Sequence, residues 1–476
     1  MSLVSLLRPC VRALAPGLTV AALATACGPV AEGARPVEMP ALAKKWFERA
    51  QASYRSTDIE DAQSAIENAL RVAPEHPEVR LLAAEIALAQ LEFARAVQVL
   101  EGVEGTRAGG VRGRALWYSG QIEKAADELE QLLEDPEVRD PWAKEVSKLA
   151  RRGSGRRPFE LSGGLLAVME MPMVASTWMI VPLEINGEPA LGAIATGTPE
   201  TLIDSSGGGA EASWVSLRFG DRVEVRDVPA LPKDLSGISR QLDAPIKVLL
   251  GVNLLRHLHP TLDFGGGQFV VRTFDPPPPP AATTVQLSYI RGGGMALQCG
   301  FGAADSAPTG ALLIDTSMTF PLALDAGGWK KAGVPESRLK PVPSAGKLKS
   351  GTLPMLRLGA FEIPKVPGVL GAPIEQLEEE IGVDLDGLLG SGMLAAFRVT
   401  LVDRGRTMWL EDLPSESLSG DPRRPPPPEE PGDAEPAPAP EPRPAASGAP
   451  APAASGAPAP ATSGAPAPAT SGAPPP

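Results

Sequence analysis

Leu312-Leu313-Ile314-Asp315-Thr316-Ser317 and Gly192-Ala193-Ile194-Ala195-Thr196-Gly197 read as two copies of one turn, and only the later copy carries an acid. Each copy has a downstream echo, Leu249-Leu250-Gly251 after the first and Leu388-Leu389-Gly390 after the second. Ten residues past each glycine stands a threonine, Thr261 in Thr-Leu-Asp and Thr400 in Thr-Leu-Val-Asp. The same ordered set occurring twice predicts a duplicated unit. Strand-like runs surround it, among them Met179 to Ile185, Trp214 to Phe219, Gln268 to Val271 and Met408 to Leu410. Glycine-rich turns punctuate these runs at 207–209, 265–267 and 292–294. The proline run Pro276 to Pro280 divides the region into two lobes, 158–275 and 283–413, joined by a linker at 276–282.

This pattern resembles the aspartic peptidases, retropepsin-like and pepsin-like. There each lobe brings an Asp-Thr/Ser-Gly turn, and a hydrophobic-hydrophobic-Gly segment supports it. The resemblance implies an all-β, two-lobed body with Asp315, Thr316 and Ser317 as one half of a catalytic pair. It places the partner acid at position 195, beyond the Asn186-Gly187 hairpin turn, where this chain has Ala195. It also implies flap hairpins near Trp214 to Pro229 and near Met355 to Val369. Gly251 lies 56 residues past Ala195 and Gly390 lies 75 past Asp315. A helical insert around Ile374 to Ile381 is expected to account for the difference.

Peptide hydrolysis by this chemistry needs two carboxyls. They lie so close that they share one proton, because like charges that near cannot both ionise. The ionised partner takes a proton from water while the protonated one donates to the peptide carbonyl. Alanine can do neither, so peptidase activity is expected to be absent or very weak. Two routes restore a pair. Asp204-Ser205-Ser206-Gly207 also resembles an active-site turn and offers Asp204 as the partner, although Asp204 mirrors Asp325 after the outgoing strand. Alternatively, two copies of the chain could bring two Asp315 residues together.

Other chemistries find little support. His76, His257 and His259 are the only histidines and have no acid or cysteine at metal-ligand spacing, so no metal is expected. His257 and His259 are expected to face solvent. Gly390-Ser391-Gly392 lacks the flanks of a nucleophile elbow, and Gly300-Phe301-Gly302 lacks the third glycine of a dinucleotide loop, so no cofactor is expected either. Cys299 reads as a small core residue. A net charge of −13 argues against nucleic acid as a partner.

The flanking segments have characters of their own. Residues 1–26, with Arg8, Arg12 and the apolar run Ala13 to Ala24, read as an export signal, and Leu23-Ala24-Thr25-Ala26-Cys27 resembles a bacterial lipoprotein signal. That resemblance implies lipid on Cys27 and a tether to the cell envelope, at the outer membrane because Gly28 follows. A linker at 27–40 leads to residues 41–152, rich in alanine and charge. Ala62, Ile66 and Ala69 recur 34 residues later as Ala96, Leu100 and Val103, which resembles tetratricopeptide repeats. A third unit, with Ala125, Leu129 and Leu132, is five residues short. That leaves its first helix, near Ala115 to Ser119, doubtful. From 415 to 476 proline, alanine, glycine and serine dominate, with an eight-residue repeat from Ser447, which predicts a disordered tail. The whole reads as a multidomain chain: all-α repeats, an all-β two-lobed body and a tail. The function expected is that of an envelope lipoprotein whose peptidase-like body binds peptide or protein, the repeats adding a second surface. An active aspartic endopeptidase using Asp315 with Asp204, and a structural envelope protein, are the alternatives.

Overall fold

The computed structural model describes residues 38–172, 178–208, 211–304, 306–343 and 346–412. The export signal, Cys27 and the tail from 415 lie outside the described residues. No helix among those described is long and apolar enough to cross a membrane.

Seven helices come first: α1 (Ala41–Arg55), α2 (Ile59–Val72), α3 (Pro77–Ala89), α4 (Phe93–Val99), α5 (Thr106–Tyr118), α6 (Ile122–Leu133) and α7 (Pro141–Arg151). Local chemistry sets their starts. Asp58 and Asp140 accept from the backbone N–H groups of Asp61 and Ala143, at 3.2 and 3.1 Å. Pro77 and Pro141 occupy first-turn positions that need no donor. Ala62, Ala96 and Ala125 are fully buried on the second helix of successive pairs. Their small side chains let neighbouring helices approach. The third unit does have its first helix: α5 is as long as α3. The missing residues come out of α4, which has 7 residues against 14 in α2. Glycines at 109, 110 and 113 made α5 hard to foresee, since each weakens a free helix by about 1 kcal/mol. Packing explains one of them. A methyl group on Gly113 would fall 2.5 Å from Leu129 on α6, so the close α5–α6 approach requires glycine there.

The first lobe contains β1 (Glu160–Gly163), β2 (Leu166–Glu170), β3 (Ile180–Ile185), β4 (Glu188–Ile194), β5 (Thr201–Asp204), β6 (Ser213–Phe219), β7 (Val223–Lys233), α8 (Ser236–Leu242), β8 (Ile246–Leu250), α9 (Val252–Leu258), β9 (Thr261–Asp263) and β10 (Gln268–Arg272). The second contains β11 (Thr283–Gln286), β12 (Ser288–Ile290), β13 (Gly294–Gly300), β14 (Thr309–Asp315), β15 (Leu322–Leu324), α10 (Ala326–Lys331), β16 (Lys340–Pro341), β17 (Lys349–Leu358), β18 (Phe361–Leu370), α11 (Ile374–Ile381), β19 (Gly387–Gly390), α12 (Ser391–Leu394), β20 (Phe397–Val402) and β21 (Thr407–Asp412).

The duplication is complete at the level of topology. Strands run β3-β4-β8-β5-β7-β6 in one lobe and β13-β14-β19-β15-β18-β17 in the other. Each ring closes on itself, through β3–β6 and through β13–β17. A third sheet, β11-β21-β20-β9-β10-β2, joins the lobes about a local two-fold. At its centre Thr261 faces Thr400, their hydroxyls 2.8 Å apart. Phe269, Leu262, Val399 and Leu410 from this sheet share one buried core with both rings. Each such side chain contributes roughly 1.5–3 kcal/mol by leaving water.

The β body is as expected, with short helices α8 to α12 between its strands. One expectation changes here. The spacing difference between the halves does not come from α11, because α8 occupies the matching place in the first lobe. It lies between β15 and β17, residues 325–348, against residues 205–212 between β5 and β6.

Candidate functional site

The two turns meet at the lobe interface. β4 runs parallel to β8, with Ile194 opposite Leu250, and β14 runs parallel to β19, with Asp315 opposite Gly390. Both strands therefore deliver their last residues to one place. Thr316 Oγ1 donates to Ile194 O at 2.9 Å and accepts from Thr196 N at 3.0 Å. Thr196 Oγ1 donates to Ile314 O at 2.9 Å and accepts from Thr316 N at 3.0 Å. This reciprocal set makes residue 196 the counterpart of 316, and hence Ala195 the counterpart of Asp315.

The two positions differ in their surroundings. Asp315 is partly exposed. Its Oδ1 accepts from Ser317 N at 2.9 Å and from Ser317 Oγ at 2.6 Å. Its carboxylate lies against the first lobe's turn, where a methyl group on Gly197 would fall 2.6 Å from Oδ1. A larger residue at 197 would displace the carboxylate. Ala195 is 4% exposed and belongs to an apolar cluster with Trp178, Leu235, Leu242 and Leu249.

Asp204 is held by groups of its own lobe. Lys247 Nζ lies 2.9 Å from Oδ2, and Ser206 and Leu235 donate backbone N–H groups to Oδ1. Burial works to raise its pKa, but these partners outweigh it and hold Asp204 down at about 2. Register gives its true counterpart. Ile203 pairs with Val248 and Leu324 with Gly387, so the next residues, Asp204 and Asp325, correspond. Asp325 caps α10 through Gly328 N.

The hairpins expected to act as flaps are anchored instead. The β6–β7 tip packs on the interlobe sheet, with Gly220 beside Ala167 and Met169, and the β17–β18 tip meets Thr283 to Val285. Trp214 is turned into the repeats. It stacks near Trp117 at 5.9 Å between centroids and donates to Leu149 O at 3.1 Å. Neither histidine faces solvent as expected. His257 lies on α9, not beside a strand, and stacks on Phe159 at 4.5 Å; burial pulls it down to about 3. His259 contacts Asp275 at 2.5 Å. Cys299 is buried in β13, and burial pushes its thiol up to about 12. No group of three or more metal-ligating side chains occurs among the described residues.

Sequence reasoning missed the junction between repeats and body. Glu200, just past the degenerate turn, accepts from Tyr118 Oη at 3.1 Å and Trp142 Nε1 at 2.9 Å. Burial raises its pKa, opposed by those two bonds. It is 82 residues from Tyr118, and no local pattern announces it. A cavity of about 640 Å³ also opens between the helices α1 and α3 and helix α11 of the second lobe. Glu78, Glu85, Glu375, Glu378 and Glu379 line it, with Arg55 and Arg107. Arg55 is committed to Asp384 and Arg107 to Glu85, at 2.6 and 2.9 Å.

Residues 47–110 match the tetratricopeptide repeat family. No curated protein sequence matches the chain. Among solved structures, the tetratricopeptide domain of Arabidopsis OM64 is similar at 19% identity, over 23% of this chain and 95% of that one, with a TM-score of 0.22. A retropepsin-like aspartic protease from Rickettsia conorii is similar at 19% identity, over 27% and 90%, with a TM-score of 0.21. An aspartic proteinase from Irpex lacteus is similar at 10% identity, over 52% and 97%, with a TM-score of 0.33. The helix pairs, the duplicated strand order and the paired turns make this chain a set of helical repeats followed by a two-lobed, β-rich body.

Proposed function

We propose that the peptidase-like body binds peptide or protein without cutting it, in a lipoprotein tethered to the bacterial envelope. The observation that carries this reading is the alanine opposite Asp315 across the threonine pair. A lone carboxylate accepts hydrogen bonds from a bound backbone, but it cannot share a proton with a partner or divide the acid and base roles. The acid-lined groove between the repeats and α11 supports a second point of attachment, suited to a segment carrying lysine or arginine. Peptide-library hydrolysis at acidic pH is the test. The reading expects none, and cleavage abolished by Asp315→Asn overturns it. Tethering rests on Cys27 in its Leu-Ala-Thr-Ala-Cys context. Labelling with radioactive fatty acid is expected in the parent and absent in Cys27→Ala, and a parent that takes up no label ends the lipoprotein reading.

A further inference from the structure

A second cavity, of about 500 Å³, lies where three parts of the chain meet: the α3–α4 turn and the end of α5, helix α9, and the turn before β21. Arg256, Arg404 and Arg406 line it from two of these parts, while Phe93 and Tyr118 form the wall supplied by the repeats. In a chain of net charge −13, three guanidiniums around one cavity form a distinct positive site.

Their charges are incompletely met. Arg256 is 4% exposed. It donates Nη2 to Tyr118 O at 2.9 Å and lies over the rings of Phe93 and Tyr118, at 4.9 and 5.8 Å. No carboxylate lies within ion-pair distance of it among the described residues, although Glu200 attracts it at longer range, and its Nε has no acceptor. His257 Nε2, on the same wall, is also buried without a partner. Arg404 makes no ion pair among the described residues and holds a left-handed backbone, φ 53°. Arg406 donates to Gln90 O at 3.2 Å and stands 3.9 Å from Asp403. The acid on this wall, Glu92, is engaged by Arg95 at 3.3 Å.

The local two-fold argues that the fold does not require these groups. Gly251 corresponds to Gly390, so Ala395 and Ala396 take the places of Arg256 and His257 in the second lobe. Two alanines there close the same helix–sheet corner. An unpaired buried guanidinium costs several kcal/mol unless something compensates it, and the ring contacts recover only about 2. Guanidinium forks match the oxygens of a phosphoryl group. The volume falls within the roughly 300–1,000 Å³ of small-molecule sites and exceeds what inorganic phosphate would fill.

We propose that this cavity binds a small organic phosphate, with its phosphoryl group on Arg256, Arg404 and Arg406 and its carbon body against Phe93 and Tyr118. The site stands apart from the lobe interface, and its occupant would bridge the repeats and both lobes.

Calorimetric titration of the full chain with glucose 6-phosphate, inorganic phosphate and glucose tests it. Glucose 6-phosphate is expected to bind more tightly than inorganic phosphate, and glucose not at all. Arg404→Gln should weaken binding roughly tenfold while leaving the thermal midpoint unchanged, since its side chain is exposed, and Arg406→Gln should weaken binding similarly while lowering the midpoint slightly through loss of its bond to Gln90 O. Vesicles of phosphatidylglycerol and of phosphatidylcholine form the second arm. Retention by phosphatidylglycerol alone, lost in the Arg404→Gln/Arg406→Gln double variant, assigns the same phosphate site to a lipid headgroup. Absence of binding to glucose 6-phosphate and to phosphatidylglycerol overturns the proposal. So does binding that the double variant leaves intact.

Discussion

Replacing Thr316 by valine keeps its shape and removes one hydroxyl from the centre of the lobe interface. That hydroxyl donates to Ile194 O and accepts from Thr196 N, and both threonines are buried. Valine leaves a buried carbonyl and a buried N–H unpaired. At about 1–3 kcal/mol for each orphaned group, the loss is about 2–6 kcal/mol. Thr196→Val should cost a similar amount, because its hydroxyl makes the mirror-image pair with Ile314 O and Thr316 N. The double variant should cost less than the sum of the singles, since the two hydroxyls share one network. Urea unfolding followed both by circular dichroism and by tryptophan fluorescence reads the effect, and coincident curves license a single free energy. Ser317→Ala serves as the control. Its exposed side chain hydrogen-bonds only Asp315 among the described residues, and its removal should change stability by no more than about 0.5 kcal/mol. If Thr316→Val behaves like that control, the reciprocal bonds do not join the lobes. The equivalence of positions 195 and 315 then loses its basis.

Ala195→Asp should set two carboxyls against each other beside Trp178; at about 4 Å and an effective dielectric near 20 this costs ~4 kcal/mol, enough to raise one pKa by about three units. A raised folded-state pKa means the variant approaches parental stability below the ordinary carboxylate range, near pH 4, and loses it as pH rises; equal deficits at pH 4 and 7 would refute this. The same variant is expected to gain slow acid-dependent peptide hydrolysis. Asp204, held at about 2, contributes in the opposite sense: its stabilisation is present above about pH 4 and lost as pH falls towards 2. Asp204→Asn should therefore flatten that part of the acid-unfolding profile, and an unchanged profile would show that Lys247 does not hold it. Glu200→Gln should be tolerated at neutral pH, since the amide oxygen still accepts from Tyr118 or Trp142. Glu200→Ala should cost about 2–4 kcal/mol and loosen the repeats, read as faster proteolysis between α7 and β1.

The parts of this fold readable from sequence were those carried by short, repeated residue patterns. Asp-Thr-Ser and Ala-Thr-Gly can be aligned by eye, and the paired Leu-Leu-Gly segments fix which strands run beside them. Asp204 and Asp325 could be matched in the same way, and strand register bears this out. What escaped notice depended on partners far along the chain. Gly113 looks like a helix breaker until Leu129 is seen pressed against it. Trp214 looks like part of a flap until it is found packed on Trp117. Glu200 and Arg256 are ordinary charged residues in sequence and become notable only when the repeats cover them.

The asymmetry at the lobe interface can be argued one step further. Both copies of the turn contain threonine, and the structure gives a sufficient reason: each hydroxyl satisfies two buried backbone groups of the opposite lobe. Stability therefore accounts for Thr196 and Thr316 without reference to any ligand. It does not account for Asp315. Among the described residues that carboxylate hydrogen-bonds only within its own turn, to Ser317, and it is partly exposed. The place facing it is filled by an alanine in an apolar cluster. If the proposed reading holds, this partly exposed acceptor between the two lobes serves a ligand rather than the fold. Asp315→Ala is thus expected to leave unfolding free energy within about 0.5 kcal/mol of the parent while weakening peptide binding about tenfold. A variant that binds normally but unfolds more easily would make Asp315 a structural residue and remove the interface from consideration as a site.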